Sequence, residues 1–263
     1  MRFVVALVLF VLSACSYQQM FDKFSTPAEQ ALALRAARAV QEGDAKWLWN
    51  ASDPRLRAQL NATLVGNMRA LCPKGNPVLG NVNVQWTEVD GRSTTLKRFT
   101  YELGADDKWA MLEVVLETAG TTPVVAGVFV QPIGQSVLGA NRFTFKEKGA
   151  IQFIWLALLI AAVSTSILAF VLVLRTKRLR LKWLWCLGVL VSFGMFQLNW
   201  VTGEWRFLPV SFLLLGGSGF QQGPLAPWIF SFAVPIIAIA FLVLRATGRL
   251  PIKPAEGQSM GTP

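Results

Sequence analysis

The second half of the chain consists of long apolar runs separated by short charged segments. Ala150–Leu174 contains 25 residues without a charge. A helix rises about 1.5 Å per residue. A helix of that length therefore exceeds the hydrocarbon core of a bilayer, which is about 30 Å thick. Trp183–Gly203 and Pro227–Leu244 are further long apolar runs. The pattern predicts an α-helical membrane domain with three transmembrane helices, at 150–174, 183–203 and 227–244.

A fourth apolar stretch, Phe207–Pro224, is uncharged but interrupted by glycine and proline. If it crossed the membrane, the basic residues after 244 would lie outside, against the excess of Lys and Arg that cytoplasmic loops carry. We therefore expect 204–226 to be an outer loop that contains a re-entrant or interfacial segment. A segment of five cations without an acid then fixes 175–182 as a cytoplasmic loop, and the determining residues are Arg175, Lys177, Arg178, Arg180 and Lys182.

The amino terminus has the pattern of a secretory signal. One arginine precedes the apolar run Phe3–Leu12, and small residues follow it. Residues 1–14 are therefore interpreted as a signal peptide. Leu12-Ser13-Ala14-Cys15 resembles the bacterial lipobox, which implies cleavage before Cys15 and a diacylglycerol on its sulfur. The alternative is an ordinary signal peptide or anchor that ends in cysteine.

Residues 16–148 show the patterns of a folded domain outside the membrane. Residues 16–25 are expected to be a polar tether. Thr26, Pro27 and Glu29 form a capping box with proline at the first helical position, and Gly43 ends that helix. A second helix is expected to start at Asp53-Pro54 and to continue through a leucine stripe as far as Leu71.

From residue 82 the hydrophobic period changes to two. Val82, Val84 and Trp86 alternate with polar residues, and Asp90-Gly91 is a strong hairpin signal. Three more strands are expected, at 94–103, 108–117 and 124–131. Helices followed by sequential strands predict an α+β domain, with N-terminal helices on a curved antiparallel sheet. We place this domain at 26–134, followed by a linker at 135–149, and the chain ends in a cytoplasmic tail at 245–263.

The soluble part is similar to the cystatin-like α+β cone of the nuclear transport factor 2-like and SnoaL-like domains. The likeness rests on the patterns at 39–48 and 124–133. Members of that fold include enzymes, binding modules and assembly domains, so the likeness implies a fold and no activity. The membrane part resembles a bacterial inner-membrane module of unassigned activity, through the segments 199–204, 215–219 and 223–228.

Composition narrows the chemistry. The chain has no histidine and three cysteines that are far apart, which argues against a zinc site and against a histidine-based catalytic relay. We expect no cofactor and no metal. Residues 16–148 carry 15 basic and 13 acidic residues, so we expect no nucleic-acid partner. The apolar runs contain no ionisable residue, which argues against a pump or transporter.

In enzymes of the cone fold, substrate enters between sheet and helices and a carboxylate or tyrosine acts at the cavity floor. The resemblance makes Glu113 the weak catalytic candidate, but its alternation with Leu112 and Val114 also fits a solvated sheet face. The aromatic side chains that could line an apolar pocket, or simply form the core, are Trp47, Trp86, Tyr101 and Trp109. Cys72 is expected to be a buried, inert thiol.

Two functions remain open at this point. The first is a multi-pass protein of the bacterial inner membrane, lipid-anchored, with a periplasmic domain that binds an apolar ligand or an envelope protein. The second is a small carboxylate-dependent hydrolase or isomerase in that domain. A filled interior with an exposed apolar surface would favour binding, and a cavity with Glu113 inside would favour catalysis.

Overall fold

The computed structural model describes residues 17–89, 92–118 and 122–252, and it divides into two compact units. The first unit contains the described residues up to Arg142 together with Gly223–Ala226. The second contains Phe143–Gln222 and the described residues from Pro227 onward. Antiparallel sheets and helices occur together, so the predicted α+β class is confirmed for the first unit. The predicted signal peptide at 1–14, Cys15 and the predicted turn at Asp90-Gly91 lie outside the described residues.

The first unit begins with short helices. Their bounds are α1 Tyr17–Phe24, α2 Pro27–Glu42, α3 Ala45–Ala51, α4 Pro54–Gln59 and α5 Ala62–Leu71. The predicted start and end of α2 are confirmed. The Thr26 side chain accepts a hydrogen bond from the Glu29 backbone, the Glu29 carboxylate accepts one from the Thr26 backbone, and Gly43 adopts the left-handed conformation at φ 78°.

Two predictions for this region are wrong. The polar tether at 16–25 is largely the helix α1, because Phe21 is buried against the core and holds it there. The single helix predicted from Asp53 to Leu71 is two helices, because Asn61 caps a new helix through a hydrogen bond to the backbone of Leu64. Val65 is the residue of α5 that enters the core.

The four strands of the first unit form an antiparallel sheet in sequential order. They are β1 Val78–Val89, β2 Arg92–Ala105, β3 Lys108–Thr118 and β4 Pro123–Ile133. One face packs on α2, whose small residues permit close approach of the helix. Residues on that face alternate along β2 and β3 and are almost completely buried, and the largest of them are Phe99, Tyr101, Leu103, Leu112, Val114 and Leu116.

The opposite face of the sheet holds the segment that follows β4. Buried Glu102 accepts hydrogen bonds from the Ser136 hydroxyl at 2.6 Å and from the backbone N–H groups of Val137 and Leu138 at 2.6 and 2.8 Å. These bonds begin the short helix α6, Val137–Ala140. Part of the predicted linker at 135–149 is therefore fixed structure.

The second unit mixes helix and strand. Its elements are α7 Ala150–Arg175, α8 Lys182–Gly188, β5 Val191–Asn199, β6 Trp205–Leu214, β7 Gly217–Phe220, β8 Ile229–Val234 and α9 Ile236–Ala246. The strands form an antiparallel sheet in the order β6-β5-β8-β7. The prediction of helices through 183–203 and 227–244 is wrong, because each segment is a short helix joined to a strand. The predicted helix at 150–174 is present as α7.

The chain nevertheless passes along α7 twice more. Lys182 donates a hydrogen bond to the carbonyl of Leu174 at one end of α7, and the Trp200 indole donates one to Thr144, just before the other end. Helix α8 and strand β5 connect these points. Strand β8 and helix α9 return, and Arg245 donates a hydrogen bond to the Thr176 hydroxyl.

Each return pass is about as long as α7. At about 1.5 Å per helical residue and about 3.3 Å per strand residue, α8 with β5 and β8 with α9 each span roughly 35–40 Å. Strands β6 and β7 lie between these two passes in the chain. Their turn lies beside the middle of α7, where a Cβ added to Gly217 would come 2.6 Å from the Val163 side chain.

Within the described residues, α7 is the helix that is long and apolar enough to cross a membrane. Only 22% of its most apolar part is buried by the protein. Helix α9 is apolar but short. The apolar side chains exposed along α7 include Ile154, Leu158, Ile160 and Leu168.

Candidate binding groove

A groove of about 260 Å³ opens in the first unit where α1 and the start of α2 meet the sheet. Three elements of the sheet and two helices contribute to it. The lining residues are Lys23, Phe24, Glu29, Val84, Trp86, Thr95, Lys97 and Thr118. The groove therefore has a mixed lining, with Glu29 and Lys97 deep inside and aromatic rings at the rim.

Helix α1 positions one rim of the groove. Phe21 is buried in the core, and the Ser25 hydroxyl donates a hydrogen bond to the Phe21 carbonyl at 2.8 Å, which fixes the end of the helix. Lys23 and Phe24 are thereby held beside the sheet. The Phe24 ring remains 40% exposed, a large apolar surface for a residue next to the core.

The buried part of the groove contains an ion pair. Lys97 Nζ lies 2.7 Å from Glu29 Oε2, and the two side chains are only 16% and 8% exposed. The backbone N–H and the hydroxyl of Thr26 donate to the same carboxylate oxygen, at 2.8 and 3.1 Å. Burial alone would raise the pKa of Glu29, but the hydrogen bonds from Lys97 and Thr26 and the charge of Lys97 outweigh it, so that pKa is lowered.

Trp86 forms the other rim. It lies on the same face of β1 as Val82 and Val84, and it pairs with Thr95 of β2. Strand β1 extends beyond the helices that cover the sheet, and the indole is 70% exposed as a result. The Thr118 hydroxyl, near the same rim, is buried and has no hydrogen-bond partner among the described residues.

The other aromatic candidates lie elsewhere. Tyr101 is 2% exposed within the core, and burial raises the pKa of its hydroxyl. Trp47 packs at the edge of the core with the Arg35 guanidinium 5.2 Å from its ring centroid. Trp109 lies across Gly104, where an added Cβ would come within 2.1 Å of the indole. The structure does not bring the four predicted residues into one pocket.

Glu113 lies on the face of the sheet that points away from the core. Its neighbours Leu112 and Val114 are fully buried, whereas its own side chain is about one-third exposed and lies 3.1 Å from Arg98 Nη1. It stands opposite Thr100 and Phe129 in the sheet. This carboxylate is therefore placed for a surface ion pair and has no part in the groove.

Cys72 packs partly against the core, and burial raises the pKa of its thiol to about 11. A thiol with that pKa stays protonated at neutral pH and is a poor nucleophile. Among the described residues, no cluster of three His, Cys, Asp or Glu side chains could hold a metal ion.

Lys23, Phe24 and the pair of Glu29 with Lys97 are not among the residues predicted from the sequence. A signal for the pair was present, because Lys97 occupies the same alternating face of β2 as Phe99 and Tyr101. A lysine on an inward face needs a partner of opposite charge. The identity of that partner, 68 residues earlier in the chain, depends on the fold.

We expect Glu29→Gln to destabilise the first unit by about 1–3 kcal/mol at pH 7, because Lys97 loses a charged hydrogen-bond partner in a largely buried place. The folded pKa of Glu29 lies below its ordinary value of 4.5. The stabilisation that ionised Glu29 gives to the folded unit is therefore complete above its ordinary pKa and is lost as pH falls through its folded pKa. Unfolding of the full chain in detergent between pH 3 and pH 8, followed by near-ultraviolet circular dichroism, measures both effects.

Glu42→Gln is the matched control. Glu42 is also in an ion pair, with Arg35, but both side chains are about half exposed, and exposed pairs contribute less than about 1 kcal/mol. Equal losses of stability in the two variants would contradict a special role for the buried pair.

Comparison of the chain with protein-family models, with curated proteins and with solved structures finds no match.

Proposed function

We propose that this chain is a bacterial inner-membrane protein whose second unit lies in the membrane and whose first unit, a cone-like α+β domain, binds an envelope protein on the periplasmic side. The observation that carries the binding role is the groove with Trp86 at its rim. A single indole that is 70% exposed beside a buried ion pair has the composition of an interface hot spot, in which Trp is enriched.

The membrane location is supported by the surface of the second unit. Helix α7 is 26 residues long and mostly uncovered by the protein. A soluble protein rarely leaves such a surface in water, because contiguous apolar area drives association. The apolar side chains of β6 add to it, with Phe212 and Leu214 about two-thirds exposed.

Binding is favoured over catalysis by the interior of the first unit. Its core is filled by side chains that are almost completely buried, including Phe99, Leu112 and Leu116. The hydrolase or isomerase alternative loses its main support, because Glu113 lies on the outer face and pairs with Arg98. A general base needs a substrate within hydrogen-bond reach in a site that excludes water.

The size of the groove favours a protein partner over a small apolar ligand. Pockets for small molecules are typically about 300–1,000 Å³ and enclose most of the ligand. The groove is smaller, at about 260 Å³, and its rim is exposed. It suits one inserted side chain of a partner, with Trp86 and Phe24 flanking the contact.

Trp86→Ala tests this role without unfolding the domain. We expect at least a ten-fold loss of partner crosslinking, because interface tryptophans commonly contribute about 2 kcal/mol or more to binding. An exposed side chain contributes little to folding, so stability should change by less than about 0.5 kcal/mol. The measurement is photo-crosslinking in cells from an unnatural amino acid at Thr95, with the adduct identified by mass spectrometry.

Two control variants separate the hypotheses. Trp49→Ala removes an indole that is 48% exposed and lies outside the groove, and it should leave the adduct unchanged. Glu113→Gln should also leave it unchanged. An adduct that survives Trp86→Ala would contradict the binding role. A severe loss of cellular function in Glu113→Gln at normal protein abundance would instead favour the carboxylate enzyme.

A further inference from the structure

The second unit carries a cluster of cations at the carboxyl end of α7. Within its described residues the acids are Glu147 and Glu204, which lie before α7 and after β5. The ion pairs of the described residues all lie in the first unit. No described acid therefore neutralises this cluster, whose members are Arg175, Lys177, Arg178, Arg180, Lys182, Arg245 and Arg249.

Two of these cations have structural partners. Lys182 Nζ donates to the carbonyl of Leu174 at 2.6 Å, and Arg245 Nη1 donates to the Thr176 hydroxyl at 2.6 Å. They satisfy groups at the end of α7, where the helix dipole favours positive charge. The remaining cations are exposed and have no such partner among the described residues, and they are Arg175, Lys177, Arg178, Arg180 and Arg249.

Arg180 stands between two apolar cavities. One, of about 320 Å³, is lined by Arg180, Leu181, Leu184, Trp185, Gly188, Ile237 and Pro251. The other, of about 720 Å³, is lined by Leu174, Leu179, Arg180, Leu181, Lys182, Trp183 and Cys186. Each cavity therefore combines a cationic rim with aliphatic and indole walls.

The loop that carries Arg180 is held in place. Leu179 is buried, and the backbone N–H of Arg180 donates a hydrogen bond to the Pro251 carbonyl at 2.8 Å. Arg178 and Leu181 both adopt positive φ angles, of 55° and 53°. Residues other than glycine seldom adopt this conformation, and it concentrates in segments whose shape is tied to a function.

We propose that Arg180 and the two cavities beside it bind an anionic phospholipid, with the lipid phosphate on the guanidinium and the acyl chains along the apolar walls. Arginine forms paired hydrogen bonds with phosphate oxygens, and basic pockets beside membrane helices suit anionic headgroups. The apolar walls favour a lipid over free phosphate, which would leave them unused. This inference rests on the proposed membrane location of the second unit.

The test uses the purified full chain in neutral detergent and native mass spectrometry. Phosphatidylglycerol should bind at least ten-fold more tightly than phosphatidylcholine. Arg180→Gln should weaken phosphatidylglycerol binding about five-fold, and the double variant Arg178→Gln/Arg180→Gln about twenty-five-fold, as expected for the loss of one and two charges near an anionic surface. Lys148→Gln removes one charge before the opposite end of α7 and should have no effect.

Each other outcome has a defined meaning. Equal binding of the two lipids, or unchanged binding in Arg180→Gln, would overturn the proposal. Displacement of the lipid by equimolar glycerol phosphate or inorganic phosphate would assign the site to a soluble phosphate and also overturn it. Arg180→Lys, which keeps the charge, should retain more affinity than Arg180→Gln. Carbonate extraction of cell membranes tests the location separately, because a chain released by carbonate would refute membrane insertion whatever its lipid affinity.

Discussion

Reporter fusions along the second unit should divide into two groups that match the two ends of α7. Alkaline phosphatase fused after Lys148 or Gly223 should be active, as in the periplasm, and fusions after Arg178 or Gly257 should be inactive. The expected difference is all or none, because the enzyme needs the oxidising periplasm to form its disulfides. Fluorescent-protein fusions at the same positions should give the reciprocal result.

Both the charge distribution and the geometry of the second unit favour this result. Cytoplasmic segments carry an excess of Lys and Arg, and eight basic residues lie in 175–182 and 245–263. The structure places Lys182 and Arg245 at the same end of α7 and Trp200 near the other end. An active phosphatase fusion at Gly257 would mean that the last pass does not return to the cytoplasmic side. An inactive fusion at Gly223 would contradict the predicted outer loop at 204–226.

Cys15→Ala should abolish fatty-acid labelling of the chain. The expectation rests on Leu12-Ser13-Ala14-Cys15 after a short apolar run. Metabolic labelling with an alkynyl fatty acid should mark the wild type strongly and the variant at background level. Cys72→Ala is the matched control and should be labelled like the wild type, because its thiol is partly buried and remains protonated.

The structure adds a geometric consequence to this prediction. Helix α1 begins at Tyr17, and Phe21 fixes it to the core. A lipid on Cys15 would therefore be separated from the folded domain by one residue. It would hold the first unit at the membrane surface. Mass spectrometry of the mature chain provides a second measurement, since persistence of residues 1–14 would show that the lipobox resemblance is misleading.

Local signals in the first unit were sufficient to predict much of its fold. The capping box at Thr26 and the left-handed cap at Gly43 involve residues within a few positions of each other, so the sequence specifies them directly. Alternation along β2 and β3 identified the buried faces. The break between α4 and α5 was missed because a leucine every four residues also fits one continuous helix, and Asn61 interrupts it only through its side-chain cap.

The groove could not be predicted to the same extent. Trp86 was identified, but its exposure depends on where the helices stop covering β1, which no local pattern encodes. The pair of Glu29 and Lys97 joins residues that are close only after the sheet has formed on α2. Glu113 lies on the outer face of the sheet, one of the two positions left open by its alternation with Leu112 and Val114, which is a local property.

In the second unit, hydrophobicity identified α7 but did not distinguish helix from strand in the later segments. Continuous apolar runs do not distinguish a helix from a buried strand, because both faces of either can be apolar. Val191–Asn199 was therefore assigned to a helix although it forms β5. Basic residues lie in the loops and chain ends whether the apolar segments between them are helices or strands. Their distribution therefore still indicated which segments meet at the carboxyl end of α7.

The position of β6 at the edge of its sheet divides the second unit into two unlike sides. Strand β6 pairs with β5, and within the described residues no strand covers its other edge. Backbone N–H and C=O groups without partners cost several kcal/mol each in hydrocarbon. Helix α7 pairs its backbone internally and can face lipid on all sides, whereas β6 can present its apolar side chains to lipid but not its free backbone edge. For a membrane-embedded second unit, we therefore expect this edge to face water or another polypeptide rather than acyl chains.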